Sequence, residues 1–361
     1  MGGEDLRLDR TTTALPDLQF NRVGDILRLG LKPISWLVRD YLESDALALL
    51  FGDPSAGKSF VAIDLACCIA TGTPWHGHDV TQGAVFYIAG EGQNGLHRRF
   101  AAWAKHNAID LSEAPLFVGD RPTQLCKDDE AGSIAHTIES MADTFGARPS
   151  LIVIDTVARN FGGADENSTQ DMGAFIANID GFLRSRDLGR PTVLLVHHSG
   201  HGDKSRARGS SSLKGALDAE YSLTKDDTSV IRLQATKMKD APDPAPLAFT
   251  LQTVDLGADT AGEPISSAVL SSASYVPPAR SGKVGRGKNQ TTALGALADL
   301  LTEHRQRLAD AGLSPAGACI RMDDWRDRLV ASGIDRKRFY ELKKTLEDAN
   351  LIRVDGTPPL S

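Results

Sequence analysis

The sequence predicts an α/β protein in which helices flank a mostly parallel sheet and a small helical domain follows. Two observations support this prediction. Short β-rich apolar runs alternate with longer helical patterns between Ala46 and Asp255, as in successive strand-helix-strand units. The early runs are almost continuously apolar, which is typical of strands that are buried on both faces. We therefore expect a parallel sheet at the centre of the larger domain.

The composition of the 361-residue chain is that of a folded protein with more than one domain. Hydrophobic residues make up 41% of it and charged residues 24%, which excludes disorder throughout. No apolar run approaches the roughly 18 residues that a membrane-spanning helix needs. The first residues, MGGEDLRLDR, lack the apolar segment of an export signal. We therefore expect a cytoplasmic protein without a membrane partner.

The strands of the larger domain are predicted from their apolar runs. The parallel strands are ALALLF (46–51), AVFYIA (84–89), PLFV (115–118), LIVID (151–155) and TVLLVH (192–197). Later runs alternate apolar and polar residues, which predicts antiparallel hairpins at an edge of the same sheet: AEYSLT, SVIRLQA and PLAFTLQ. We expect this domain to occupy residues 22–256, after a flexible N-terminal arm over residues 1–21.

The composition changes after residue 256. Residues 257–289 are rich in Ser, Ala, Gly and Pro, which predicts a flexible basic linker. A winged-helix-like domain is expected over 290–361, because three helical patterns are followed by LIRVDGTPP, a predicted strand and turn; the helices span 291–311, 322–332 and 335–349. The whole chain has a formal charge of −7, but the part from Ala279 onward has 15 Lys and Arg against 11 Asp and Glu. The positive charge is therefore concentrated in the tail.

The segment GDPSAGKS fits the P-loop pattern G-x-x-x-x-G-K-[ST], and it lies between a predicted strand and a predicted helix, as the motif requires. In such a loop the backbone N–H groups surround phosphates, the lysine reaches the β- and γ-phosphates and the hydroxyl binds Mg²⁺. The sequence therefore predicts ATP and Mg²⁺ as ligands. The predicted nucleotide-binding residues are Gly52, Asp53, Pro54, Ser55, Ala56, Gly57, Lys58, Ser59 and Phe60.

Two carboxylates are candidates for the rest of this site. Asp155 ends a buried strand, a position from which a carboxylate can hold Mg²⁺ beside Ser59. Thr156 follows it, so the base that activates water must come from elsewhere. Glu91 follows the AVFYIA strand, and the carboxyl ends of parallel strands open onto one ligand face. We therefore predict Glu91 as the general base.

These motifs resemble those of the RecA-fold ATPases of RepA-type hexameric replicative helicases, which are found on plasmids and phages. The resemblance covers about residues 22–255 and rests on GDPSAGKS, YIAGEG, VIDTVARNFGGADENS, LLVHHSG and RGSSSLKGALD. It implies a RecA-like core and a homo-hexameric ring. In that family an acidic residue at the position of Glu91 is the catalytic base, and a polar or histidine residue senses the γ-phosphate. His197 and His198 both match the sensor.

The resemblance also implies a cationic pair that a neighbouring subunit contributes to the γ-phosphate. The family has Lys-x-Arg there, whereas this chain has Lys237-Met238-Lys239. A lysine neutralises charge but lacks the planar bidentate contact of an arginine. Arg206 and Arg208 are alternative candidates for this trans-acting group.

Three groups of cations are candidates for binding nucleic acid. Arg159 lies in a loop after the LIVID strand, and a Ser- and Gly-rich loop adds Lys204, Arg206, Arg208 and Lys214. Cations in loops with few bulky groups suit sequence-independent binding of single-stranded DNA, although ordinary solvated loops have the same composition. In the tail, Arg336, Lys337 and Arg338 begin a helix that would contact duplex DNA or replication proteins.

The sequence therefore predicts an ATP-hydrolysing, ring-forming DNA helicase or translocase that acts in the replication of a plasmid, phage or other mobile element. The alternative is a RecA-fold ATPase switch that regulates or loads other DNA-acting proteins without unwinding. A replication initiator with an inactive ATPase is disfavoured, because Lys58, Ser59, Asp155 and Glu91 are all present.

Overall fold

The computed structural model describes residues 20–30, 33–90, 92–200, 204–276, 288–311, 313–314, 318–348 and 351–352. The chain divides into two compact units, Met1–Val276 and Pro277–Ser361. Residues 1–19, which make up most of the expected N-terminal arm, lie outside the described residues.

The first unit contains eleven strands within the described residues: β1 (Trp36–Val38), β2 (Leu42–Glu43), β3 (Leu47–Gly52), β4 (Ala84–Ala89), β5 (Leu116–Val118), β6 (Pro149–Asp155), β7 (Thr192–His198), β8 (Ala219–Lys225), β9 (Ile231–Met238), β10 (Leu247–Ala258) and β11 (Pro264–Ala273). Strands β1 and β2 form a small antiparallel pair. The other nine form one sheet in the order β11-β10-β9-β8-β3-β7-β6-β4-β5. Neighbours from β8 to β5 are parallel, and β9, β10 and β11 extend the sheet as antiparallel strands.

The helices connect these strands and cover both faces of the sheet. In the first unit they are α1 (Val23–Arg28), α2 (Lys58–Thr71), α3 (Gln93–Asn107), α4 (Asp128–Phe145), α5 (Val157–Asn160), α6 (Thr169–Asn178), a π-helical turn (Ile179–Leu183) and α7 (Ser211–Ala216). The second unit contains α8 (Lys288–Asp310), α9 (Met322–Ala331) and α10 (Arg336–Asp348). In the part of the chain that the structure describes, no helix combines the length and hydropathy needed to cross a membrane.

The alternation of side chains along the central strands builds two hydrophobic cores, one on each face of the sheet. On β3, Leu50 packs into the core that contains α2, whereas Leu49 belongs to the core that contains α6. All six residues of β3 are buried, as are all six of β4. The predicted α/β fold with a mostly parallel sheet is confirmed.

The structure differs from the sequence-based expectation between residues 257 and 276. The expected linker began at residue 257, but β10 continues to Ala258 and β11 pairs with it from Ala248 opposite Ala273 to Ala258 opposite Pro264. Val269 and Leu270 of β11 are 3% and 5% exposed. The Ser- and Ala-rich composition concealed this strand, because the two residues that anchor it lie among small and polar ones.

A buried carboxylate ties α2 to the loop after it and to α3. Asp64 accepts hydrogen bonds from the indole Nε1 of Trp75 at 2.9 Å and of Trp103 at 2.7 Å. His76 Nε2 lies 2.9 Å from the same carboxylate, and His76 Nδ1 lies 2.8 Å from Ser272 Oγ of β11. Asp64 is 6% exposed, so these contacts replace its hydration. The network fixes the helix that begins at the P-loop against β11.

The second unit has its own hydrophobic core. Trp325, Leu329, Phe339 and Leu346 are buried among α8, α9 and α10, and Trp325 Nε1 donates to the carbonyl of Ala293 at 2.8 Å. These helices correspond to the three predicted helical patterns. The described residues Leu351 and Ile352 are not in a strand, and the rest of the expected strand and turn lies outside the described residues.

We predict that Asp64→Ala destabilises the first unit by roughly 2–4 kcal/mol, because two indole N–H groups and an imidazole lose a buried acceptor. Urea unfolding followed by tryptophan fluorescence measures this loss. The control is Asp110→Ala, which removes an exposed carboxylate and is expected to change stability by less than about 1 kcal/mol. Equal stability of the two variants would contradict the structural role of the network.

Candidate active site at the carboxyl edge of the sheet

The P-loop connects the end of β3 to the start of α2, and its shape depends on Gly57. This residue has φ of 98°, in the left-handed region that a glycine adopts without strain. A Cβ there would also lie 2.7 Å from Ile231 Cδ1. The N–H groups of Phe60 and Val61 donate to the Gly57 carbonyl and close the first turn of α2. The helix therefore begins at Lys58 with its N-terminus open to the cleft.

Lys58 is held across the loop by main-chain oxygens. Its Nζ donates to the carbonyls of Gly52 and Asp53, each at 2.9 Å, and lies 3.4 Å from His198 Nδ1. The residue is 6% exposed. An ammonium group fixed in this way has little conformational freedom left to lose when a phosphate binds.

Asp155 lies at the end of β6, between the ends of β4 and β7. Tyr87 of β4 donates its hydroxyl to Asp155 Oδ2 at 2.6 Å. Burial, with the nearby Asp155 charge, raises the pKa of Tyr87 well above its usual value, so the hydroxyl stays protonated and remains a donor. The sequence-based reasoning missed Tyr87, although its place two residues before the end of β4 was a signal.

A cleft of about 570 Å³ opens beside the P-loop and brings several predicted residues together. Lys58, Ser59, Asp155 and His198 all line it. Glu91, the predicted base, lies outside the described residues. The chemistry of this donor set, a cation with a hydroxyl and a carboxylate, suits a nucleotide phosphate accompanied by Mg²⁺.

The lining of the cleft also contains residues that the motif did not indicate. The guanidinium of Arg99 lies 4.7 Å from the centre of the Phe60 ring, a cation-π contact. Lys225 of β8 and Leu251 of β10 also line the cleft. Arg99 and Lys225 add positive charge to a cleft that already holds Lys58, which favours an anionic ligand. Helical spacing alone could not show which of the consecutive arginines 98 and 99 faces the cleft.

The two histidines at the end of β7 face opposite sides of the sheet. His198 lies beside Lys58, whereas His197 is completely buried on the other face. Burial, together with the positive groups nearby, lowers the pKa of His197 to about 4, so its imidazole is neutral at neutral pH. Of the two predicted sensor residues, the structure thus places His198 at the cleft.

The described parts of the Ser- and Gly-rich segment after β7 pair with each other. Its stem is formed by Ser199 opposite Ala207, and residues 201–203 lie outside the described residues. Asp53 of the P-loop accepts from Lys204 Nζ at 2.5 Å and from Ser199 Oγ. The hydrogen bond from Lys204 and that from Ser199 lower the pKa of Asp53. The hairpin is therefore attached directly to the P-loop. We call the described residues 199–200 and 204–210 the basic hairpin.

Lys237 and Lys239 lie beside the amino ends of the parallel strands, whereas the P-loop of the same chain lies at their carboxyl ends. Met238 pairs with Ala219, at the end of β8 that lies beside the start of β3. Lys237 Nζ donates to the carbonyls of Lys214 and Leu217, and Lys239 Nζ lies 3.1 Å from Asp218 Oδ1. Within one chain these lysines do not reach the cleft.

The predicted nucleic-acid residues are in different environments. Arg159, Arg206, Arg336, Lys337 and Arg338 are exposed. Two others contact buried carboxylates: Lys214 Nζ is 2.7 Å from Glu220, and Arg208 Nε is 3.2 Å from Glu166. In the second unit Asp335 caps α10 by accepting from the Lys337 N–H at 2.7 Å, so the three tail cations occupy the first turn of that helix.

The fold and the site together place the chain among the P-loop ATPases, whose common feature is a parallel sheet with a phosphate-binding loop after one strand. A family model described as an AAA domain matches residues 10–204, more than half of the chain. The chain therefore belongs to this AAA domain family. No curated protein matches the chain.

We predict that Lys58→Ala lowers the ATPase rate by at least about 100-fold, because the site loses the cation that is fixed over the loop. Release of phosphate by the purified variant measures this. Lys105→Ala is the control, since Lys105 on α3 contacts only the Asp255 carbonyl among the contacts described for it. A full rate in Lys58→Ala would contradict the P-loop assignment.

We also predict that Tyr87→Phe raises the Mg²⁺ concentration needed for half-maximal ATPase activity by about 10-fold, because Asp155 loses the donor that orients its carboxylate. The measurement is a Mg²⁺ titration at fixed ATP. Phe86→Leu, which changes a neighbouring residue of β4 on the other face of the sheet, serves as the control. An unchanged titration curve in Tyr87→Phe would show that the hydroxyl does not position Asp155.

Proposed function

We propose that the protein is an ATP-hydrolysing, ring-forming DNA helicase or translocase that acts in the replication of a plasmid, phage or other mobile element. The observation that supports this best is the attachment of the basic hairpin to the nucleotide cleft. The hairpin leaves β7 directly after His198, which contacts Lys58, and Lys204 contacts the P-loop residue Asp53. A change at the phosphates would therefore be transmitted to the basic hairpin, whose cations suit the binding of single-stranded DNA.

The residues of the cleft fit the binding of ATP with Mg²⁺. Lys58 would contact the β- and γ-phosphates, and Ser59 and Asp155 would hold the metal. The metal, when bound, supplies positive charge that stabilises the phosphoryl group during transfer. His198 would sense the γ-phosphate through its place beside Lys58, and Glu91 remains the predicted base that accepts a proton from the attacking water.

A closed homo-hexameric ring is part of this proposal. Lys237 and Lys239 contribute nothing to the cleft of their own chain, so a role at a γ-phosphate requires a second copy. Arg206 and Arg208 of the basic hairpin are the alternatives for this role. Head-to-tail contacts between identical chains produce rings when the rotation closes.

The second unit would recruit the motor to duplex DNA or to replication proteins. Arg336, Lys337 and Arg338 are exposed on the first turn of α10, where the helix N-terminus also attracts phosphate. Later in the helix Glu341 and Glu347 reduce the positive charge, and Lys343 pairs with Glu347 at 3.5 Å.

A second candidate function is a nucleotide-dependent switch that loads or regulates other DNA-acting proteins without unwinding. The observation that favours it is the pairing of predicted nucleic-acid cations inside the chain. Lys204 contacts Asp53, Arg208 contacts Glu166 and Lys214 contacts Glu220. Cations that are already paired gain less from a DNA phosphate, because the internal pair must first be broken.

The test is an ATPase assay with and without single-stranded DNA, together with strand separation on a forked duplex. We expect DNA to stimulate hydrolysis and the duplex to be separated. Replacing Lys204 and Arg206 with Gln should flatten the dependence of log affinity on log salt by about 0.7 per lost phosphate contact. The control is Arg121→Gln with Arg148→Gln, two exposed arginines elsewhere. Nucleotide binding without stimulation or unwinding would instead support the switch.

A further inference from the structure

Glu166 lies in the loop between α5 and α6, on the face of the sheet opposite the P-loop helix. Its side chain is 10% exposed. Glu166 Oε2 lies 3.2 Å from Arg208 Nε in the stem of the basic hairpin and 3.9 Å from His197 Nε2 on β7. One carboxylate is therefore close both to the hairpin and to the strand from which it arises.

The main chain of Glu166 contacts the same stem. Its carbonyl accepts from the Ser210 N–H at 2.9 Å. Gly209 passes so close that a Cβ at this residue would lie 2.9 Å from the Glu166 oxygen, and its φ is 97°. Glu166 thus holds the end of the hairpin by side chain and by backbone.

The stem of the hairpin is also bonded to the end of β7. The Arg208 N–H donates to the His198 carbonyl at 2.9 Å, and the Gly200 N–H donates to the Arg206 carbonyl at 2.9 Å. His198 Nδ1 is 3.4 Å from Lys58 Nζ. A continuous series of contacts therefore runs from Glu166 through Arg208 and His198 to Lys58.

The charge on Glu166 depends on Arg208. Burial raises the pKa of the Glu166 carboxyl above its usual value, and the Arg208 charge offsets only part of this rise. The neighbouring His197, with its pKa of about 4, is neutral at neutral pH and supplies no positive charge. A buried carboxylate without a cation is strongly unfavourable, so the Glu166–Arg208 pair resists separation once it has formed.

We propose that Glu166 is a positioning residue that fixes the stem of the basic hairpin against the end of β7, so that nucleotide bound at Lys58 controls the order of this stem. This inference rests on the proposed function, since it takes ATP as the ligand of the P-loop. It adds a residue outside the cleft that links the cleft to the hairpin.

Hydrogen exchange of the backbone amides in residues 199–200 and 206–210 tests this proposal in the full chain, with and without a non-hydrolysable ATP analogue and Mg²⁺. In the wild-type protein the analogue should slow exchange of these amides. In Glu166→Gln the amides should exchange about 10-fold faster without nucleotide, because a charge-assisted contact is lost, and the analogue should no longer slow them.

The matched control is Asp45→Asn, which neutralises a carboxylate that pairs with Arg184 and Arg190 at the opposite edge of the sheet. In Asp45→Asn the analogue should slow amide exchange of the stem as much as it does in the wild type. Arg208→Gln should reproduce Glu166→Gln, whereas Arg208→Lys keeps the positive charge and should retain most of the response. If circular dichroism shows that Glu166→Gln does not fold, the proposal is tested by comparing how the analogue changes amide exchange in Arg208→Gln and in Arg208→Lys.

A stem that responds equally in the wild type, Glu166→Gln and Arg208→Gln would overturn the proposal. The proposal would also be overturned if the analogue did not slow amide exchange in the wild-type stem although calorimetry showed that the analogue binds. Failure of the analogue to bind would overturn the nucleotide assignment and this inference together. Because the experiment contains no DNA, a lack of DNA-stimulated hydrolysis would refute the helicase proposal and leave the exchange result standing.

Discussion

The parallel pairing of β3 with β7, and of β7 with β6, is the constraint on which the site depends. Parallel strands bring their carboxyl ends to one edge, so residues far apart in sequence meet there: Lys58 after β3, Asp155 at the end of β6 and His198 at the end of β7. If β3, β6 or β7 ran antiparallel to the others, its carboxyl end would lie at the opposite side of the sheet and its residue would not reach the cleft. The strand order thus assembles the cleft, and the P-loop contributes Lys58 and Ser59 to its lining.

Strand geometry also connects the two faces of the sheet at this edge. Because successive side chains on β7 point in opposite directions, His198 contacts Lys58 while His197 lies near Glu166. The basic hairpin begins at the next residue and is bonded to both the P-loop and the opposite face. Lys58 and the hairpin are therefore joined by a short series of contacts at one strand end, which is the physical basis of the coupling that we propose.

The distribution of charge bears on the two candidate functions. Three cations line the cleft, namely Lys58, Arg99 and Lys225. A site for a triphosphate requires such positive charge. Two hairpin cations, in contrast, contact carboxylates of the same chain: Lys204 contacts Asp53 and Arg208 contacts Glu166. A polyanion must compete with those carboxylates, so the strength of the internal pairs governs how readily the hairpin exchanges one partner for another.

The sequence by itself determined the features that depend on neighbours along the chain. The P-loop, the central strands and the helices of the second unit follow from local residue patterns, and the AAA domain match agrees with the P-loop. Only the tertiary structure decided which histidine faces Lys58, that Tyr87 holds Asp155 and that β11 replaces part of the expected linker. These outcomes depend on strand order and on which face each strand turns to a given helix, and both are set by packing between segments that lie far apart in sequence.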